Sequence, residues 1–198
     1  MKTNIHFLLD RSSSMWECLN ETISEFNTFI NSQKNNGECY FSLYQFDDDY
    51  DIIYKDIHID NVSCLNINQY MPRGNTALLD AIGLTIDNIN NKTENNIIVI
   101  LTDGYENSSK IFKKDEVFNK ITQKQEDGYK FIFLAANQDA IQSACDLGIN
   151  KDSALTYSQK PYNIKQCFRS LSNQISKVRN DNDQHIIFSK EERINSLD

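Results

Sequence analysis

The sequence has little of what membrane-spanning or secreted chains carry. Its 198 residues contain no run close to the roughly 20 consecutive apolar residues that a membrane helix needs. The apolar run Ile5 to Leu9 is too short for a secretory signal, because Asp10 and Arg11 follow it directly. We therefore predict a cytoplasmic protein that neither spans nor binds a membrane.

The sequence also lacks closely spaced cysteine pairs and an excess of positive charge. Five cysteines, an odd number without a Cys-x-x-Cys pair, argue against a disulfide framework or zinc site and predict core thiols: Cys18, Cys39, Cys64, Cys145 and Cys167. Lys and Arg number 20 against 28 Asp and Glu, a net charge of −8. Because such a chain repels a phosphate backbone, we predict no nucleic-acid partner.

Proline and glycine are scarce, at two and six residues, and no linker or internal repeat interrupts the chain. Apolar residues are spread along its whole length, which predicts one domain over residues 1–180. We assign residues 181–198 to a C-terminal extension. The spacing of Ser189 and Glu192 is that of a capping box, so this extension should contain a short helix packed on the domain or trailing from it.

What the sequence does have is an alternation of strand-like and helix-like segments, which indicates a mostly parallel sheet covered by helices. Asn4 to Leu9 is the first strand. Glu38 to Phe46 and Asp51 to Ile59 are joined by a turn too short for a parallel return, so they should form an antiparallel hairpin at a sheet edge. Ile97 to Leu101 has no polar face and should lie near the sheet centre.

Helical periodicity follows the first strand and recurs after Thr76. Apolar residues spaced three and four positions apart form one helical stripe that should face the core: Trp16, Leu19, Ile23, Phe26 and Ile30. On this pattern Trp16 is a core residue.

Oxygen donors collect where two predicted strands end. Asp10 ends the first strand and is followed at alternate positions by Ser12 and Ser14, while Asp103 follows the run Ile97 to Leu101. Thr76 stands just before a predicted helix. Carboxylates at the ends of neighbouring parallel strands share one sheet edge, and hard oxygen donors suit Mg²⁺, Mn²⁺ or Ca²⁺.

Three segments resemble the metal-ion-dependent adhesion site of von Willebrand factor type A domains: Asp10-x-Ser12-x-Ser14, Gly74-Asn75-Thr76 and Leu101-Thr102-Asp103-Gly104. The resemblance covers nearly the whole chain and is to the stand-alone intracellular type. It implies an α/β, Rossmann-like fold with a six-stranded sheet in the order 3-2-1-4-5-6, one antiparallel edge strand and helices on both faces. Ser13 stands where glycine is frequent in the family.

The resemblance also implies a site and a function. Ser12, Ser14 and Thr76 would bind Mg²⁺, or Mn²⁺ or Ca²⁺, through their hydroxyls, and Asp10 and Asp103 directly or through water. An Asp or Glu of a protein partner would complete the coordination of the ion, so the chain is predicted to be a metal-dependent adhesion or scaffold-type binding module and not an enzyme.

Other interpretations stay open at this point. Ser14 and Thr76 could be helix caps. The edge of Asp10 and Asp103 could serve a Mg²⁺-dependent phosphoesterase or nuclease. Against that, haloacid-dehalogenase-like phosphatases place a second Asp where Ser12 stands, and nucleases need more carboxylates. A metal-independent assembly protein is the third alternative, and self-association is left open.

Several other polar residues near the predicted ligands allow more than one role. The turn Asp47 to Asp51 could hold a second cation, but a solvated turn is favoured, since the segment lacks the glycine and distal Glu of a calcium loop. Asp80 is predicted to be a local structural acid near Thr76. Glu106 and Asn107 could contact a partner or be ordinary exposed loop residues.

Overall fold

A computed structural model describes residues 2–34, 36–89, 95–136, 139–180 and 185–198. Its strands are β1 Thr3–Asp10, β2 Cys39–Phe46, β3 Tyr50–His58, β4 Asn95–Thr102, β5 Lys130–Ala136 and β6 Ala154–Tyr157. They form one sheet in the order β3-β2-β1-β4-β5-β6, and every neighbouring pair is parallel except β2 and β3. The predicted sheet order and the antiparallel edge are confirmed.

The α-helices of the described residues are α1 Leu19–Lys34, α2 Leu78–Asn88, α3 Lys114–Glu126, α4 Ala140–Asp146, α5 Pro161–Asn180 and α6 Lys190–Asn195. α1 and α5 pack on one face of the sheet, and α2, α3 and α4 on the other. Phe7 and Leu9 of β1 point into the first core and Leu8 into the second, as alternation along a strand requires. β1 and β4 are buried along their whole length because both of their faces are covered.

The prediction that Trp16 is a core residue is wrong. A 3₁₀ helix over Ser13–Cys18 precedes α1, and Trp16 in it is 51% exposed. A 3₁₀ helix has about 3.0 residues per turn against 3.6 in an α-helix. Residues before Leu19 therefore do not follow the α-helical period and Trp16 points away from the core, whereas Phe26 and Ile30 in α1 are buried as predicted.

Two of the five cysteines also differ from the prediction of core thiols. All five are free; Cys18, Cys39 and Cys167 are buried, but Cys64 and Cys145 are exposed. Cys64 lies in the connection that follows β3, and Cys145 lies on α4 next to Ala144, whose side chain faces the core. Even spacing in the sequence does not distinguish these positions from core positions.

The C-terminal segment, residues 185–198, runs along β6. Ser189 and Glu192 form the predicted capping box at the start of α6. Ile186 and Phe188 are buried in the core of α1 and α5. The predicted start of the extension, residues 181–184, lies outside the described residues, and the division at residue 180 stays a prediction. No helix within the described ranges is long and apolar enough to cross a membrane.

Candidate metal centre

The predicted ligands lie at the carboxyl edge of the sheet, between its two central strands. Asp10 ends β1, and Asp103 directly follows β4, its neighbour. β1 continues toward α1 on one face, whereas β4 continues toward α3 on the other. This is the topological switch point at which open α/β sheets bind ligands.

Hydrogen bonds join four of the five predicted ligands. The Ser12 amide donates to Asp10 Oδ1 at 2.7 Å, and the hydroxyl oxygens of Ser12 and Ser14 lie 3.1 Å apart. Ser14 Oγ donates to Asp103 Oδ1 at 2.5 Å. The side chains that follow β1 and β4 thus form one cluster.

Thr76 reaches the same cluster from the loop before α2. A Cβ atom added to Gly104 would lie 2.9 Å from Thr76 Oγ1 and 3.7 Å from Ser14 Oγ. Both hydroxyls therefore face the backbone beside Asp103, and a Cβ at this position would crowd the hydroxyl of Thr76. All five predicted ligands are brought together.

Asn107 and Glu106 hold the loop of Thr76 in place. The Thr76 amide donates to Asn107 Oδ1 at 2.9 Å, and the Asn107 amide donates to the Thr76 carbonyl at 3.0 Å. Glu106 Oε2 accepts from the amide of Leu79 at 2.9 Å, at the start of α2. These residues have a structural role that the sequence left undecided.

Helix capping does not explain the hydroxyls. Ala77, and not Thr76, is the N-cap residue of α2. Ser14 lies inside the 3₁₀ helix, whose N-cap residue Ser12 makes no capping hydrogen bond through its side chain. The hydroxyl of Ser14 instead donates to the carboxylate of Asp103.

Three further residues hold the two acids, and the sequence analysis missed them. Thr102 Oγ1 donates to Asp10 Oδ2 at 2.5 Å, and Gln159 Nε2 donates to Asp103 Oδ2 at 2.7 Å. Tyr70 donates its hydroxyl to the Asp10 carbonyl at 2.5 Å. Thr102 is adjacent to Asp103 and could have been found, but Tyr70 and Gln159 reach the site from distant loops without any local signal.

Burial disfavours the charged forms of both acids. Burial raises the pKa of Asp10 to about 7, although the hydrogen bond from Thr102 opposes the shift. Burial also raises the pKa of Asp103, against a hydrogen bond from Ser14. No ion pair of the described residues includes either acid. A bound cation would offset this desolvation.

The donor set fits a hard divalent ion. Two carboxylates and three hydroxyls supply oxygen donors only, the type that Mg²⁺, Mn²⁺ and Ca²⁺ prefer. Within the described ranges, no three His, Cys, Asp or Glu side chains gather into a group suited to a metal. A site at this edge therefore depends on its hydroxyls.

The acidic turn is not solvated at Asp47. Asp47 is buried, and its Oδ2 accepts from Arg11 Nε and Arg73 Nε, each at 2.8 Å. Arg11 also pairs with Asp51 at 2.6 Å, and Arg73 with Asp49 at 3.0 Å. The prediction of a solvated turn is therefore wrong at its first residue, whereas Asp49 and Asp51 are exposed as predicted.

Asp80 has the predicted local structural role. It lies in the first turn of α2, and its carboxylate accepts from the backbone amides of Lys110, Ile111 and Phe112 at 2.7 to 2.9 Å. It thereby holds the loop between β4 and α3, which carries Asp103.

Comparisons with known proteins agree with this architecture. The family model described as von Willebrand factor type A domain matches residues 4–174. No curated protein sequence matches the chain.

Solved structures with the same fold include three from different organisms. Proximal thread matrix protein 1 from the mussel byssus is 14% identical, with a TM-score of 0.65 over 88% of this chain and 46% of its own. A von Willebrand factor type A protein from Catenulispora acidiphila is 14% identical, with a TM-score of 0.62 over 87% and 42%. This chain thus spans less than half the length of either.

The third structure is the von Willebrand factor domain of the type V pili tip protein Mfa5 from Porphyromonas gingivalis. It is 11% identical, with a TM-score of 0.70 over 90% of this chain and 96% of its own. Identities at this level show the fold alone, but the family match extends over most of the sequence. The chain belongs to the von Willebrand factor type A domain family.

Proposed function

We propose that this chain is a metal-dependent protein-binding module. Its metal is Mg²⁺, or Mn²⁺ or Ca²⁺, bound by Asp10, Ser12, Ser14, Thr76 and Asp103. The observation that carries the proposal is the convergence of three hydroxyls at the switch point with two buried carboxylates that have no ion-pair partner in the described part of the chain. These groups meet without serving as helix caps, which supports a ligand as the reason for their placement.

The charges of the donors suggest what the ion would bind. Ser12, Ser14 and Thr76 contribute neutral hydroxyls, and Asp10 and Asp103 would bind the ion directly or through water, so the ion would have few anionic donors in its inner shell. The bound ion would supply a Lewis-acidic position that attracts one more carboxylate. An Asp or Glu of a protein partner is the natural donor, and affinity for that partner would then depend on the metal.

The structural neighbours support binding over catalysis. One is a domain of a pili tip protein and another a thread matrix protein of the mussel byssus. The site itself has only two carboxylates, fewer than two-metal hydrolysis requires, so we assign no catalytic residue. The cytoplasmic location stays a prediction.

Metal binding is tested by calorimetric titration of Mg²⁺ into chelator-treated protein, with unfolding temperature as a second measure. Wild type should bind Mg²⁺ and be stabilised by about 2.7 kcal/mol at 100 times the dissociation constant. Ser14→Ala and Thr76→Ala should bind more weakly. Ser13→Ala is the matched control, because Ser13 is an exposed serine beside Ser14 and should leave binding unchanged. Equal binding by all variants would contradict the proposed ligands.

Partner binding is tested by affinity capture in Mg²⁺ and in chelator, with wild type and Asp103→Asn. We expect a protein that is captured only by wild type and only with metal. Capture that survives the chelator would refute the metal bridge. Hydrolysis of a generic phosphoester that Asp10→Asn abolishes would favour the enzyme, and chelator-insensitive self-association would favour an assembly protein.

A further inference from the structure

An apolar cleft adjoins the candidate metal centre on the face of α2, α3 and α4. Its volume is ≈ 210 Å³, and most of its lining is apolar: Leu78, Leu79, Tyr105 and Leu147. Pockets for whole small molecules usually measure about 300 Å³ or more. The cleft therefore suits one large side chain better than a free ligand.

The cleft and the metal centre share two segments of backbone. Leu78 follows Thr76 by two residues, and Tyr105 follows Asp103 by two. Hydrogen bonds between Asn107 and Thr76 fix these two segments against each other. A partner segment bound at the proposed metal centre would therefore lie next to cleft residues that are only two positions from Thr76 and Asp103.

The exposure and charge of the cleft are those of a protein-binding surface. Tyr105 is 63% exposed, and exposed aromatic side chains are enriched among residues that dominate interfaces. Lys114 and Asp146 at the cleft pair with each other at 2.6 Å, and the carboxylate of Glu106, also in the lining, accepts from the amide of Leu79 at 2.9 Å. The cleft offers apolar contact, while the neighbouring site would offer a cation.

We propose that the cleft receives a large apolar side chain from the same partner segment whose Asp or Glu binds the metal. This inference rests on the proposed function and narrows it. The partner is an exposed, extended segment in which an acid and a Leu, Met, Phe or Tyr lie within a few residues of each other. The metal fixes the acid, and the cleft selects among acidic segments.

The experiment is selection of a random-peptide display library on the full chain in Mg²⁺, with elution by chelator. Enriched peptides should share an acid and a nearby large apolar residue. For the strongest peptide, measured by fluorescence anisotropy, Tyr105→Ala should weaken affinity at least about tenfold. Tyr105→Phe should restore it, because the aromatic surface is what binds.

Tyr162→Ala is the matched control. Tyr162 is 59% exposed but belongs to α5, on the other face of the sheet, so its loss should change affinity less than about twofold. Tyr105 is itself largely exposed, so its replacement should leave the fold intact.

The outcomes separate this inference from the proposed function. The proposed role of the cleft would be refuted, and the metal bridge kept, by either of two results. One is chelator-sensitive peptides that share an acid but no apolar residue; the other is equal affinity of the peptide for wild type and Tyr105→Ala. A selection that yields no chelator-sensitive peptide would refute both the role of the cleft and the metal-dependent binding of a partner. Concentration-dependent dimerisation that Tyr105→Ala abolishes would assign the cleft to a second copy of the chain and overturn the partner segment.

Discussion

His6 is a buried histidine in β1, four residues before Asp10. Its Nδ1 lies 3.4 Å from the hydroxyl of Tyr44, and its Nε2 has no hydrogen-bond partner in the described part of the chain. Burial lowers the pKa of His6 to about 4, against a smaller opposing effect of Asp56. The folded protein therefore holds this ring neutral.

This shift predicts that His6 contributes less to stability in mild acid. The unfolded chain protonates His6 near its ordinary pKa of about 6.5, whereas the folded chain does so only near 4, so the unfolded state takes up more protons at this ring between these values. The contribution of His6 to the free energy of unfolding should fall by up to about 3 kcal/mol as pH drops from 7 to 4, while the raised pKa of Asp10 acts in the opposite direction over the same range. Urea unfolding of wild type and His6→Phe at several pH values isolates the His6 contribution as the difference between the two profiles. Parallel profiles would contradict the assignment.

At the scale of elements, the hairpin of β2 and β3 holds together two loops of the proposed metal centre. Asp47 in its turn bridges Arg11, which follows Asp10, and Arg73, which precedes Thr76 by three residues. Backbone hydrogen bonds support the same junction: the Arg73 amide donates to the Arg11 carbonyl at 2.8 Å, and the Ala77 amide to the Asp47 carbonyl at 3.0 Å. The turn thus positions ligands that it does not itself contain.

Asp47→Asn should therefore impair both stability and metal binding. Removing one partner from a buried ion pair costs about 3 kcal/mol or more, and here it leaves two arginines without their shared carboxylate. Asp49→Asn is the matched control, since Asp49 is exposed and its pair should contribute about 1 kcal/mol or less. Urea unfolding and Mg²⁺ titration measure the two effects. Equal behaviour of the two variants would argue against a positioning role for the turn.

Periodicity predicted most elements, strand-end chemistry placed Asp10 and Asp103 at one sheet edge, and the family resemblance implied that Ser12, Ser14 and Thr76 join them. They failed where contacts are long-range. Nothing near Asp47 in the sequence indicates that Arg11 and Arg73 would bury it, and Gln159 reaches Asp103 from 56 residues away. The prediction that Trp16 is buried failed for a local reason, because the apolar pattern of the sequence does not distinguish a 3₁₀ helix from an α-helix.

At the scale of the whole molecule, the C-terminal segment completes the fold beyond the family match. It covers the outer edge of β6: Arg193 Nη1 donates to the Ala154 carbonyl at 2.7 Å, and Ser196 Oγ to the Thr156 carbonyl at 2.7 Å. An uncovered edge strand invites pairing with other chains. Residues 185–198, which lie beyond the end of the family match at residue 174, therefore protect the sheet.

Substitution of Phe188, with its neighbour Ile187 as the control, tests how much this segment stabilises the fold. Phe188 is buried in the core shared with α1 and α5, so Phe188→Ala should lower the free energy of unfolding by about 3 to 5 kcal/mol. Ile187 is 55% exposed, and Ile187→Ala should cost less than about 1 kcal/mol. Denaturant unfolding measures both. A small effect of Phe188→Ala would show that the segment is peripheral to the core.

The switch point has one more consequence, which concerns local unfolding. Asp10, Ser12 and Ser14 lead into the layer of α1, whereas Thr76 and Asp103 lead into the layer of α2 and α3 on the other face. The hydrogen bond from Ser14 to Asp103 already joins the two sides. An ion bound by all five residues would fasten both helical layers at this edge, so neither could fray there without releasing it.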